Sequence, residues 1–306
     1  MKNTDKLIQL YFYICELYDR ELCLHYQRMS NNYSPKLSDQ EVLTIYFFGL
    51  TVEKRKTKKE IYDFADNYLR SWFPDLGTTY ESYLGRINNL VDVFPPIIAH
   101  ILEQQWLEKN TDEFCFFGQQ IINVVDSMPI VLAKGFRRFS AKVAPELCDK
   151  GFCSSKNLSY YGLKFHFLGF ARKGQLPQTE KVFVSPASNN DLTVMKPVFE
   201  RLFDRAIYAD KIYANKAWQE WLIEHNNLEI LTPVKLKKGQ KELDYKDKLY
   251  SKAVSSIRQP VEAFFAWIID QVGIQNASKV RSSKGLMVHV FGRFAAALMI
   301  AHFDFL

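Results

Sequence analysis

No glycine-rich phosphate loop occurs anywhere in this 306-residue chain. That argues against nucleotide-binding enzymes of the P-loop or GxGxxG kind. Cysteine is sparse and unpatterned: Cys15, Cys23, Cys115, Cys148 and Cys153 are odd in number and form no CxxC pair. Free thiols in a reducing compartment fit this best, and Cys148, Cys153 and His166 match no standard zinc spacing. The opening MKNTDKLIQL lacks an extended apolar core after its charges, so no signal peptide is expected. The apolar tail from Phe294 to Leu306 is too short to span a bilayer and carries His302 and Asp304. Together these readings lead to the expectation of a cytoplasmic protein.

What is present begins with charge. The formal net charge of +6 suits a polyanionic partner without demanding one. The basic residues cluster in two stretches. One holds Lys134, Arg137, Arg138, Lys142, Lys150 and Lys156; the other runs from Lys235 through Lys237 and Lys238 to Lys252. Each alone reads as a solvated face or as a nucleic-acid contact.

The length predicts two domains. Apolar residues at helical spacing (Leu7, Leu10, Tyr11, Ile14; Ile61, Phe64, Ala65, Tyr68) fill the first third. Ser38 to Glu41 and Thr57 to Glu60 read as capping boxes that open helices. Pro95-Pro96 breaks the pattern before a helix from about Ile97 to Trp106. Residues 1–115 are therefore expected to form an all-helical DNA-binding or dimerisation domain, and 116–306 the second domain. In the first, Lys54, Arg55, Lys56, Lys58 and Lys59 are candidate DNA contacts. A packing module is the alternative, and no helix-turn-helix signature singles out a recognition helix.

The remainder reads as strand, strand, strand, helix, then alternation. Ile121 to Val125 is an apolar run typical of a strand buried on both faces, and it ends in Asp126. Ala206 to Ala209 is a second such run, ending in Asp210. Carboxylates are almost never buried unless paired or metal-bound, so two at strand ends suggest a site for a hard cation. Leu163 to Arg172 alternates, with Lys164 and His166 on one face. Val261, Phe264, Phe265, Ile268 and Val272 mark a last amphipathic helix. That order is the order of an α/β, ribonuclease H-like mixed sheet flanked by helices, whose third acid comes from the last helix. Glu262 is the candidate, one turn beyond Arg258; an ordinary surface ion pair is the competing explanation.

Five segments in order then resemble the DDE-type transposases of bacterial insertion sequences. They are Val125-Asp126-Ser127, Tyr161 to His166, Ser185 to Asp191, Ala209 to Tyr213 and Arg258 to Phe265. The likeness covers roughly residues 116–270. It implies that Asp126, Asp210 and Glu262 are the catalytic, metal-binding acids, serving two Mg²⁺ or Mn²⁺ ions about 3.5–4 Å apart. It implies a DNA transposase that cleaves insertion-sequence ends and transfers strands into target DNA. The substrate would be double-stranded DNA with terminal inverted repeats, held by a homodimer. A metal-dependent nuclease of the same fold and a catalytically idle DNA-binding descendant are the competing readings. Candidate DNA contacts are Arg258, Lys164, His166, Arg137, Arg138, Lys211, Lys237 and Lys238. The chain departs from the family pattern at Ser255 and Ile269, where tyrosine and lysine are common, and at Lys211, where glycine is common. Pro260 is expected in the first turn of the helix that carries Glu262.

Overall fold

The computed structural model describes residues 2–26, 35–108, 113–154, 156–236 and 239–306. Helices α1 (Asn3–Leu17), α2 (Cys23–His25), α3 (Asp39–Thr51), α4 (Lys58–Tyr68), α5 (Tyr80–Asn89) and α6 (Phe94–Leu107) come first. Strands β1 (Phe116–Phe117) and β2 (Gln120–Lys134), helix α7 (Arg137–Ser140), and strands β3 (Asp149–Cys153), β4 (Leu158–Phe170) and β5 (Gln178–Pro186) follow. Then come α8 (Asp191–Phe199), β6 (Arg205–Tyr208), α9 (Lys216–Asn226), β7 (Leu228–Leu231) and the long α10 (Tyr245–Val272). Helices α11 (Ser283–Met287) and α12 (Arg293–His302) end the chain.

Local chemistry accounts for the helix starts. Ser38 Oγ accepts from the Glu41 amide while Glu41 Oε2 accepts from the Ser38 amide at 2.6 Å, and Thr57 with Glu60 repeats the box at α4. Pro95 and Pro96 do not precede α6 but occupy its first turn, where their missing N–H groups cost nothing.

Contacts divide the chain into two compact units, Met1–Glu108 with Ile268–Leu306, and Lys109–Trp267. This differs from the expected division at residues 115 and 116. The cause is burial: Phe294 to Met299 of α12 are buried, and α12 packs on α3 and α6. Together α11, α12 and the turn of wider helix between them make a 20-residue helix, Ser283–His302. Its length and apolarity would suffice to cross a membrane, but 72% of its apolar window is buried inside the unit. The tail read as a short apolar run is thus the end of a core helix.

In the other unit the strands form a mixed sheet in the order β5-β4-β2-β6-β7, with β3 extending β4's edge and β1 beside β2. Strands β2, β4 and β5 are antiparallel neighbours, whereas β6 and β7 run parallel to β2. One face carries Val125, Leu168 and Ile207 against Met195, Phe199 and Leu222 of α8 and α9. On the other, Phe167 meets Phe264 and Phe265 of α10. Pro260 lies in the interior of α10, not in its first turn as expected.

Gly162 shows how tightly the long strands approach. A Cβ there would fall within the contact radius of the Ile130 carbonyl oxygen, in the pairing of β2 with β4. Gly162→Ala is therefore expected to destabilise the protein by about 2–3 kcal/mol through overpacking. Denaturant unfolding would show this as a lower midpoint with an unchanged slope.

Candidate active site

The parallel register relates the two aspartates. Val124 of β2 pairs with Tyr208 of β6, the last matched pair. Asp126 and Asp210 each follow that pair by two residues, and the charge of Asp210 acts on Asp126. The crevice beyond the carboxyl ends of parallel strands is where open α/β sheets place ligands. Strand β2 does not stop at Asp126 as expected. It continues to Lys134, with Asp126 opposite Phe167 of β4. Asp210 is exposed and caps a short turn of helix, accepting from the Lys211 amide at 2.7 Å.

The third acid arrives from α10, but through an intermediary. Arg258 Nη1 donates to Asp126 Oδ2 at 2.6 Å, and Nη2 donates to Glu262 Oε1 at 2.7 Å. The guanidinium thus bridges the two acids that were expected to meet directly. Among the described residues, no group of three or more His, Cys, Asp or Glu side chains is placed to hold a metal ion.

Electrostatics at Asp126 nevertheless favour an added cation. Burial, together with Asp210 and Asp191, pushes its pKa up to about 6 even though Arg258 and the Ser127 amide pull it down. The Arg258 pair does not fully offset the cost of burying this carboxylate. Two further groups are unfinished: the Tyr213 hydroxyl and Arg258 Nε are buried with no hydrogen-bond partner among the described residues. The charges of Asp126, Asp210, Asp191 and Arg258 all act on Tyr213. Asp126 and Asp210 offer hard oxygen donors of the kind a divalent cation takes, while the unsatisfied Arg258 Nε seeks an acceptor.

Asp191 is the residue that the sequence reading passed over. It lies in the first turn of α8, where it accepts from Ser127 Oγ at 3.1 Å and from Lys164 Nζ at 2.9 Å. Ser127 follows Asp126 and so faces the opposite side of the sheet. Asp191 therefore anchors the strand behind the site. Following Asn190, which caps α8 through the Leu192 amide at 2.9 Å, it has the look of ordinary helix-start chemistry. Asp191→Asn is expected to lower stability by roughly 2–3 kcal/mol, since it leaves Lys164 unpaired. It also removes a charge that raises the Asp126 pKa, so the acid limb of the pH–rate profile should move to lower pH.

The candidate DNA contacts fare differently. His166 is fully buried, with Nε2 2.8 Å from Ser185 Oγ and its ring stacked on Phe183. Burial lowers its pKa to about 4. No phosphate reaches it, and its expected DNA contact is corrected to a structural role, because α8 covers that face of β4. Lys164 is half-buried and donates to the Asn189 carbonyl at 2.8 Å besides Asp191, so it too serves the fold. Lys211 and Arg137 are exposed, and Arg138 lies over the Phe139 ring at 4.1 Å. Lys237 and Lys238 lie outside the described residues.

No curated protein and no solved structure matches the chain. The family model described as "Transposase DDE domain" matches residues 118–299, beginning just before β2 and running past α10 into α12. That match covers more than half of the chain, and the chain belongs to the family of DDE-type transposases.

Proposed function

We propose that this enzyme cleaves the ends of an insertion sequence and joins them to target DNA, with Asp126, Asp210 and Glu262 as its catalytic acids. The observation that supports the proposal is that Asp126 and Asp210 each follow the last parallel pair by two residues, with Arg258 linking Asp126 to Glu262. Divalent ions, Mg²⁺ or Mn²⁺, would be held by these three carboxylates and would supply charge neutralisation at phosphorus and a polarised attacking oxygen. The chain's own groups do the rest. Asp126 must be ionised to act, and its raised pKa sets the lower pH limit. Arg258, whose planar fork suits phosphate as well as carboxylate, would hold the scissile strand once the acids' charge is otherwise neutralised. Exposed Lys211 and Arg137 would steer the DNA backbone. Two ends must be held together for joining, which calls for a homodimer on DNA, in the cytoplasm where the DNA lies.

A linear fragment bearing the terminal repeats that flank the gene, mixed with a plasmid and Mg²⁺ or Mn²⁺, tests this. Nicks at the repeat ends followed by 3′ ends joined to plasmid are expected. Cleavage without joining would mean a nuclease; DNA binding without cleavage would mean an idle descendant.

A further inference from the structure

The helical unit holds a cavity of about 480 Å³ that the cleavage chemistry does not use. Lys56, Lys58, Lys279, Arg281 and Arg293 border it, and Glu60 is the one carboxylate among its lining residues. Glu60 is already engaged, since its Oε2 accepts from the Lys56 and Thr57 amides at 2.9 and 3.2 Å.

Among the described residues these five cations have no carboxylate partner, whereas Lys59, which also lines the cavity, is paired with Asp63. Lys58 Nζ donates to Asn88 Oδ1 at 2.6 Å and faces the Gly285 carbonyl. Arg281 Nη1 donates to the Ser278 and Val280 carbonyls at 2.8 Å. Arg293, almost wholly buried, donates to the Val272 and Lys56 carbonyls and, at 3.1 Å, to His289 Nδ1. Capping the end of α10 explains Lys56, on the Asp270 and Gln271 carbonyls, and Arg293, on that of Val272. It does not explain Lys58, Lys279 or Arg281. Lys279 and Arg281 are exposed, but Lys58 is largely withdrawn from water, and positive charge held there without a counter-charge is costly unless something anionic arrives. Burial, helped by Arg293, lowers the Lys58 pKa to about 7, the mark of an ammonium short of negative partners. His289 is held neutral, far below its usual range, and adds no charge. Helix α4 and the Ser283–His302 helix both begin at this cavity, adding their positive ends. Tyr80, Leu84, Ala277 and Val280 supply an apolar wall.

We propose that this cavity binds the phosphate of a nucleotide unit on Lys58 and Arg281, with the sugar or base against Tyr80 and Leu84. The phosphate comes either from a DNA strand or from a free nucleotide; the site stands whether or not the enzyme joins strands. Calorimetric titration of the full chain with inorganic pyrophosphate and with a deoxynucleoside monophosphate is the test. Saturable binding at one site is expected, with proton uptake at neutral pH as Lys58 becomes fully charged beside Arg293, Lys56, Lys59 and Glu60. Arg281→Gln and Lys58→Met should each weaken it about tenfold. Arg281 is exposed, so its variant keeps the test alive should the lysine variant unfold. With duplex DNA, a salt-dependence slope reduced by about one in the Arg281 variant identifies a backbone phosphate as the source; an unchanged slope identifies the free nucleotide. No pyrophosphate or nucleotide binding by the parent protein, or binding indifferent to both substitutions, overturns the proposal.

Discussion

Replacing Asp126 with asparagine will make the protein more stable and remove its DNA cleavage. The folded-state pKa of Asp126 is raised from 3.8 to about 6, chiefly by burial. Below pH 3.8 the group is protonated whether the chain is folded or not, and it contributes nothing. As pH climbs from 3.8 towards 6, the unfolded chain releases the proton while the folded one keeps it, so stability falls. Above pH 6 the whole penalty is present. Two pKa units set a ceiling of about 3 kcal/mol. With 23% of the side chain still exposed, roughly 1–2 kcal/mol is the expected gain for the asparagine variant at neutral pH. Asparagine keeps an oxygen for Arg258 Nη1. Cleavage should fall by at least about 10³-fold, since the lost charge faces the reacting phosphate. Thermal melts at pH 4 and pH 7 check the first half: parent and variant should differ at pH 7 and converge at pH 4. A variant less stable than its parent at pH 7 would show that the ion pair with Arg258 outweighs burial.

The second large effect concerns Arg258. Arg258→Lys keeps one positive charge but cannot reach Asp126 and Glu262 at once with two parallel donors. End cleavage is expected to fall about 10²-fold, with divalent-metal affinity staying within a few-fold of the parent. That result assigns the guanidinium to the DNA phosphate. Loss of metal affinity along with cleavage would assign it to holding Glu262 in place. Full activity would show that charge alone is required. Arg258→Ala adds a separate signal: Arg258 lowers the Asp126 pKa, so the acid limb of activity should move to higher pH.

Part of this arrangement was legible in the sequence. Apolar runs ending in Asp126 and Asp210 announced two acids, because so few forces place carboxylates beside buried strands. The alternation around Lys164 and His166 gave the right faces but the wrong exposure. Period-two patterning reports which residues share a side, not whether a helix such as α8 covers it. Glu262 was weaker still, since Arg258 and Glu262 are indistinguishable in sequence from a surface ion pair, and topology had to promote it. Asp191 escaped because its partners Ser127 and Lys164 belong to β2 and β4, and only strand pairing brings them to the start of α8. The division into units was misjudged for a related reason. Helical periodicity shows that α12 has an apolar face, but not that α3 and α6, far earlier in the chain, bury it.

That last arrangement has a consequence for synthesis. The helical unit needs residues from both sides of the catalytic unit, Met1–Glu108 and Ile268–Leu306. A ribosome working at about 5–20 residues per second completes the first part roughly ten to forty seconds before the last helix emerges. The catalytic unit is complete once Trp267 is made, roughly two to eight seconds before the end, while α3 still lacks the neighbour that will cover Tyr46, whose hydroxyl ends on the Val288 carbonyl. The order of assembly is therefore the reverse of the order of emergence: what leaves the ribosome first is finished last.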